Sequence, residues 1–443
     1  MTIRALMNMM TVLSIFVLLG FFVREYVKPL QKLFLPASLI GGLIMLCLGQ
    51  QGAGLIEVPQ VMGKIPGVLI DIVMVSLVFG VSFNRKQIHS YLDYICLPMP
   101  AYGMQMCVGT LLGSFLAKFW PGLPLGWGIL GVFSFHGGHG TAAAAAASFE
   151  KLGYEGHMAI AMVLSTIGLI VAMTVGMVLV NFGVRKGWGT YVKEPQRQPE
   201  YFYGGSLPSE QRKSVGTMVT TSISINHLAL QFAWLMGALF IGQQIFGFLN
   251  GMFPAFKALH IPSVLHGVIG GAVTWKIIEV CHLEKFVDLK TVKMLSGFFL
   301  ELVIFTAMAT LNLKFISSYV VPLLLYSIVL TVLTLIMVVY CARKFAKEEW
   351  FEKACMCFGG ATGNTSTGLA LVRSIDPNSQ SHAGDSCGVY ATLMSWKDIF
   401  VGLGPLWLSN GQIGLTAGMG AVILVGFMII GYLFFNTKRQ LEF

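Results

Sequence analysis

The chain has 443 residues, 55% of them hydrophobic and only 11% charged, with a mean hydropathy of +0.74. Soluble domains carry roughly 25% charged residues, so an ordinary water-soluble globular protein is excluded. The net charge of +9 reads as Lys and Arg gathered in loops on one side of a membrane, and no nucleic-acid partner is implied.

Apolar windows fall at 7–23, 34–50, 65–83, 95–117, 125–135, 156–183, 217–247, 261–280, 294–311, 317–341, 354–372, 385–408 and 412–436. The first is followed by Arg24 and Lys28 with no A-x-A cleavage motif, so it reads as an uncleaved span. Eleven windows read as membrane-crossing helices, which need about 20 apolar residues each. The windows at 125–135 and 354–372 are short or broken by "HGGHGT" (136–141) and "CFGGATGNTSTG" (357–368), and read as re-entrant hairpins. None of the eight cysteines forms a C-x-x-C, so neither a disulfide framework nor a zinc site is implied.

Charge supports that reading. With the N-terminus outside, the inside loops hold Arg24, Lys28 and Lys32; Arg85 and Lys86; Arg185, Lys186, Lys193, Arg197, Arg212 and Lys213. They also hold Lys285, Lys290 and Lys293; Arg343, Lys344, Lys347 and Lys353; and Lys438 with Arg439. Outside loops keep single lysines: Lys64, Lys118, Lys151, Lys257 and Lys314. This is the positive-inside pattern, and turning either hairpin into a full span would break it.

The chain also repeats. "LPASLIGG" (35–42) resembles "IPSVLHGVIGG" (261–271), and "HGGHGT" (136–141) resembles "FGGATG" (358–363), 222 residues later. An odd number of spans per half inverts the second half. The expected fold is an all-α polytopic membrane protein made of two inverted-topology repeats of five transmembrane helices, each with a re-entrant hairpin. The first repeat is 1–184, with its hairpin near 125–153; a cytoplasmic linker covers 185–216. The second is 217–410, with its hairpin near 354–378. An additional C-terminal helix and tail occupy 411–443 and have no counterpart in the first half.

Irregular backbone at membrane depth survives only where it lines a cavity or meets a ligand. After Gly140 and after Gly363 the chain should turn helical again. Each break then presents a helix N-terminus, with free N–H donors and partial positive charge, near the membrane midplane. Two such ends facing each other make an anion site without a basic side chain. Its candidate residues are Gly137, Gly138, His139, Gly140 and Thr141 from the first break. The second supplies Gly359, Gly360, Thr362, Gly363, Asn364, Thr365, Ser366 and Thr367. The six alanines 142–147 give the closest-packing helix surface.

These motifs resemble a known family. "GGHGT" (137–141) is similar to the signature of the bacterial sodium/glutamate symporters. "STIG" (165–168), "FTAMATLNLKF" (305–315), "FGGATGNTSTGLA" (358–370) and "KDIF" (397–400) resemble further segments in the same order. The resemblance implies sodium-coupled uptake of glutamate or a closely related acidic amino acid, with sodium as coupling ion and no other cofactor. It implies a homodimer in the bacterial cytoplasmic membrane. Three features depart from the family: "GNTSTG" replaces a proline-containing stretch, Arg373 ends the second hairpin's helix, and the span 412–436 is extra.

Individual residues extend the candidate site. Asp398 sits deep in the penultimate window, where a carboxylate is costly. Sodium ligation is the favoured role. A pair with Lys397 is the alternative, disfavoured because helix neighbours point about 100° apart. Ser165 and Thr166 are the matching oxygen donors in the first half, or else bond back into their own helix. Arg373 either neutralises a substrate carboxylate or snorkels to the surface. His136 and His139 lack the third ligand a metal would need. Asp71 and Glu301, inside apolar spans, are the next carboxylates to consider, and Asn312 and Ser82 stand at the ends of the two third spans beside the expected cavity, or else cap those helices. Beside the symporter stand a sodium-coupled carrier of another small organic anion, a sodium/proton antiporter and an anion channel. An enzyme would need a nucleophile and base or an H-E-x-x-H helix, and the sequence shows neither.

Overall fold

The computed structural model describes residues 3–33, 35–80, 91–191, 209–212, 214, 216–221, 223–253, 264–376 and 380–436. Ser82, Arg85, Lys86, Lys193, Arg197, Lys213, Lys257, Pro262, Lys438, Arg439 and most of the linker lie outside them. Every regular element among the described residues is helical. In chain order these are α1 (Ile3–Tyr26), α2 (Ala37–Leu48), α3 (Ile65–Val78), α4 (Pro98–Leu116), α5 (Leu130–Lys151) and α6 (His157–Arg185). After the linker come α7 (His227–Met252), α8 (Val264–Val280), α9 (Leu289–Ala309) and α10 (Leu313–Phe345). Then follow α11 (Trp350–Thr362), α12 (Thr365–Arg373), α13 (Ala383–Leu393), α14 (Phe400–Ser409) and α15 (Ile413–Ile430).

Among the described residues, seven helices are long and apolar enough to cross a membrane: Met7–Tyr26, Tyr91–Leu116, α6, α7, α9, α10 and Ile413–Phe435. The other four expected spans are shorter or divided. Helix α2 is held to 12 residues by Pro36 at its N-cap and Gly49, in extended backbone, at its C-cap. Helices α3 and α8 have 14 and 17 residues. The window 385–408 is split between α13 and α14 by a 3₁₀ turn, Ser395–Ile399.

The helices sort into two bundles. Helices α1–α3 pack with α7–α9, the opening helices of each half, while α4–α6 pack with α10–α15. In the second bundle α4 and α15 cross on glycines: a Cβ on Gly103 would stand 2.5 Å from Leu424 N, and one on Gly420 2.5 Å from Cys107 N. Helix α3 against α5 is the main seam between the bundles. Lys151 crosses it to Asp71 at 2.9 Å. Lys353, expected in a loop, is instead buried against Asp93 at 2.8 Å, each side chain 5% exposed. Removing one partner of such a pair strands a buried charge, which fixes α11 against the start of α4.

Candidate functional site

The first break lies inside α5. Gly138 has φ 66° and ψ −155°, a left-handed backbone that glycine adopts without strain. The two arms fold back on each other, since a Cβ on Gly126 would stand 3.2 Å from the Phe149 ring. Thr141, one turn past the break, donates its hydroxyl to the Phe133 carbonyl at 2.7 Å. That bond ties the start of the second arm to the first.

The second break separates α11 from α12 and is built differently. Asn364 is the N-cap of α12 and closes a capping box with Thr367, Asn364 Oδ1 accepting from Thr367 N at 3.0 Å. Thr367 Oγ1 donates to the Gly359 carbonyl at 2.8 Å. The arms press together at Gly359, whose added Cβ would stand 2.5 Å from Gly368 Cα. Thr141 and Thr367 are 226 residues apart, as are Phe133 and Gly359, and Gly137 and Gly363. The hydrogen bonds thus set a register four residues away from the one the motif letters suggest. Pro36 and Pro262 obey the same spacing of 226.

The two breaks touch. A Cβ on Gly138 would be 3.2 Å from Gly363 O and 3.9 Å from Asn364 Cβ. Helix α6 closes behind them: Gly168 backs onto the Thr362 carbonyl, and Gly363 faces Ala172 Cβ at 3.0 Å from its would-be Cβ. Gly140 faces Leu300 of the other bundle. His139, 5% exposed, places Nε2 3.3 Å from Thr166 Oγ1, joining two residues the sequence had assigned to different ligands. Thr166 also donates back to Met162 O at 2.9 Å. Beside it the Ser165 hydroxyl is fully buried with no hydrogen-bond partner, an arrangement that costs on the order of 1–3 kcal/mol. Thr365 and Ser366, the first residues of α12, are exposed at the break. The N-terminal ends of α12 and of the second arm of α5 bring backbone N–H groups and positive dipole ends to this point.

Other expected residues do not gather here. Gly360 faces open space rather than a close neighbour, and Thr362 Oγ1 bonds back to Phe358 O at 2.7 Å. Arg373 is exposed at the far end of α12, nine residues from Asn364 and so about 13 Å along the helix. His136 turns away from His139 and meets the Tyr390 hydroxyl at 3.1 Å. Asn312 caps α10, its Oδ1 accepting from Phe315 N at 3.0 Å, and Glu301 is exposed. A cleft of about 770 Å³ lined by Gln50, Glu150, Thr310 and Asn312 opens between the bundles, and the break residues are not among its lining.

Asp398 pairs with Lys397 at 3.0 Å, contrary to the helix-neighbour argument. The segment winds as a 3₁₀ turn, and the flexible four-carbon lysine stem folds back across it. Lys397 Nζ also stands over the Tyr102 and Tyr390 rings, at 5.9 and 5.8 Å. Gln105 is a residue the sequence reading missed. It is fully buried in α4, and its Nε2 donates to Thr334 Oγ1 and to the Ala361 carbonyl, each at 2.8 Å. It thereby anchors the second break two residues before Gly363. A lone amide in an apolar span was the available signal.

The chain matches the sodium/glutamate symporter family over residues 1–347. It belongs to that family. No curated protein matches it. The symporter is a multi-pass membrane transporter rather than an enzyme. The match takes in the first break, Ser165, Thr166 and the 305–315 segment. It stops ahead of α11, so the second break and Asp398 lie outside the matched residues.

Proposed function

We propose that the symporter takes up glutamate, or a closely related acidic amino acid, across the bacterial cytoplasmic membrane by sodium symport. The substrate carboxylates bind between the two breaks. The observation that carries this reading is the meeting of Gly138 with Gly363 and Asn364, two helix starts converging where the chain supplies oxygen and N–H groups. In this reading the halves are inverted repeats, α11–α12 and the arms of α5 are re-entrant hairpins, and the basic loops and linker are cytoplasmic.

Each break offers backbone N–H groups to one carboxylate, while Thr365, Ser366 and His139 orient the molecule. Ser165 and Thr166 on one side, and Asp398 on the other, supply oxygens to sodium. For Asp398 to do so, Lys397 must first leave it. The bundle holding both breaks moves as a unit against the other, and the chain works as a homodimer.

Uptake by purified protein in liposomes tests the function. An inward sodium gradient should drive accumulation of labelled glutamate above a panel of other amino and dicarboxylic acids, and preloaded glutamate should accelerate entry by counterflow. Uptake indifferent to sodium would overturn symport, and absence of counterflow would point to a channel.

A further inference from the structure

We infer that a groove between the start of α4 and the last turns of the C-terminal helix binds an anionic phospholipid, with an acyl chain along the groove and the phosphate at Lys347. The groove has a volume of about 490 Å³, within the roughly 300–1,000 Å³ of ligand cavities. Its walls are apolar, chiefly Leu92 and Ile95 on one side and Phe427, Ile430 and Phe434 on the other. Among its described lining residues Lys347 alone is charged. An apolar channel ending at a single cation suits an amphiphile with an anionic head.

The surroundings favour a bilayer lipid. Lys347 is exposed and follows Arg343 and Lys344 at the end of α10, so it stands at the basic edge of a membrane span, where anionic headgroups concentrate. Its ammonium lies 5.5 Å from the Phe435 ring centroid, at the mouth of the groove. Its backbone N–H donates to Asp93 Oδ2 at 3.0 Å, the carboxylate that Lys353 holds at 2.8 Å, so residue 347 is fixed in place. Phe434 in the lining and its neighbours Tyr432 and Leu433 are exposed apolar or aromatic residues, as expected of an interfacial belt.

Helix α15 forms the outer wall. The residues that follow it, Gly431–Phe435, continue as a π turn, a feature common at functional sites. The groove therefore gives the unpaired C-terminal helix a purpose. Met394 in its wall is the C-cap of α13, just before the turn carrying Lys397 and Asp398, so an occupant touches the end of that turn's preceding helix.

Native mass spectrometry of the purified full chain, exposed separately to phosphatidylglycerol, phosphatidylcholine or oleate, tests the inference. Phosphatidylglycerol should be retained several-fold better than either alternative. Lys347→Gln should lower that retention several-fold, Leu92→Trp should remove it by filling the groove, and Lys344→Gln, outside the groove, should leave it unchanged. Equal retention of phosphatidylcholine, preference for oleate, or undiminished retention in Lys347→Gln would each overturn the assignment.

Discussion

The two breaks reach one geometry by different chemistry. Each is closed by a threonine hydroxyl returned to a carbonyl eight residues upstream, Thr141 to Phe133 and Thr367 to Gly359. The first breaks its helix with a left-handed glycine. The second keeps its break residues at negative φ, ending α11 at Gly363 and starting α12 with an asparagine capping box. What the two breaks share is a closing hydrogen bond of the same span, not their letters.

The largest expected effect separates glycines by environment. Gly138→Val would force a β-branched residue into positive φ and push its side chain at the Gly363 carbonyl, so uptake should vanish while membrane insertion persists. Gly359→Val should do the same through Gly368, whereas Gly360→Val should keep near-normal uptake because nothing stands there. Loss of activity in Gly360→Val but not in Gly138→Val would reverse the account of the breaks.

Next comes the ion site. If Asp398 ligates sodium, Asp398→Asn removes a charged ligand, on the order of 1–3 kcal/mol, and should raise the sodium concentration for half-maximal uptake several-fold or more. Glutamate affinity should fall with it, since coupled sites lose affinity reciprocally. If Asp398 serves only Lys397, the variant should instead lower protein abundance and leave sodium activation unchanged.

Ser165→Ala gives a smaller effect with a diagnostic sign. Removing a buried hydroxyl without a partner should leave thermal stability unchanged or raised by up to about 1 kcal/mol, while uptake falls. A destabilised variant with full uptake would mark Ser165 as packing. The smallest effect belongs to Arg373→Gln, which should leave the apparent glutamate KM within about twofold, as Arg373 stands on the order of 13 Å from the break.

Much of this was legible in sequence because apolar length and glycine breaks are local signals. Both breaks, the first helix and the extra C-terminal helix stand where the hydropathy pattern puts them, whereas α7 starts at His227, ten residues into its window, where Asn226 caps it. The failures arose where the tertiary context decides. Helix length at α2 and the division of α13 from α14 depend on proline placement and turn geometry that a hydropathy window averages away. The Lys397–Asp398 pair needed a non-α turn to form. The register between the breaks was hidden because glycine in one half answers asparagine in the other. Gln105 went unnoticed because its partners, Thr334 and the Ala361 carbonyl, lie more than 200 residues away along the chain.

The central claim, that substrate sits between the breaks, is tested most directly by protection of a single cysteine at the exposed start of α12. In a background lacking the native cysteines, Ser366→Cys should react readily with a small maleimide in the absence of ligand. Glutamate together with sodium should slow that reaction at least several-fold, and glutamate without sodium should slow it much less. Labelling at the same rate in all three conditions, in a variant that still transports glutamate, would contradict the site.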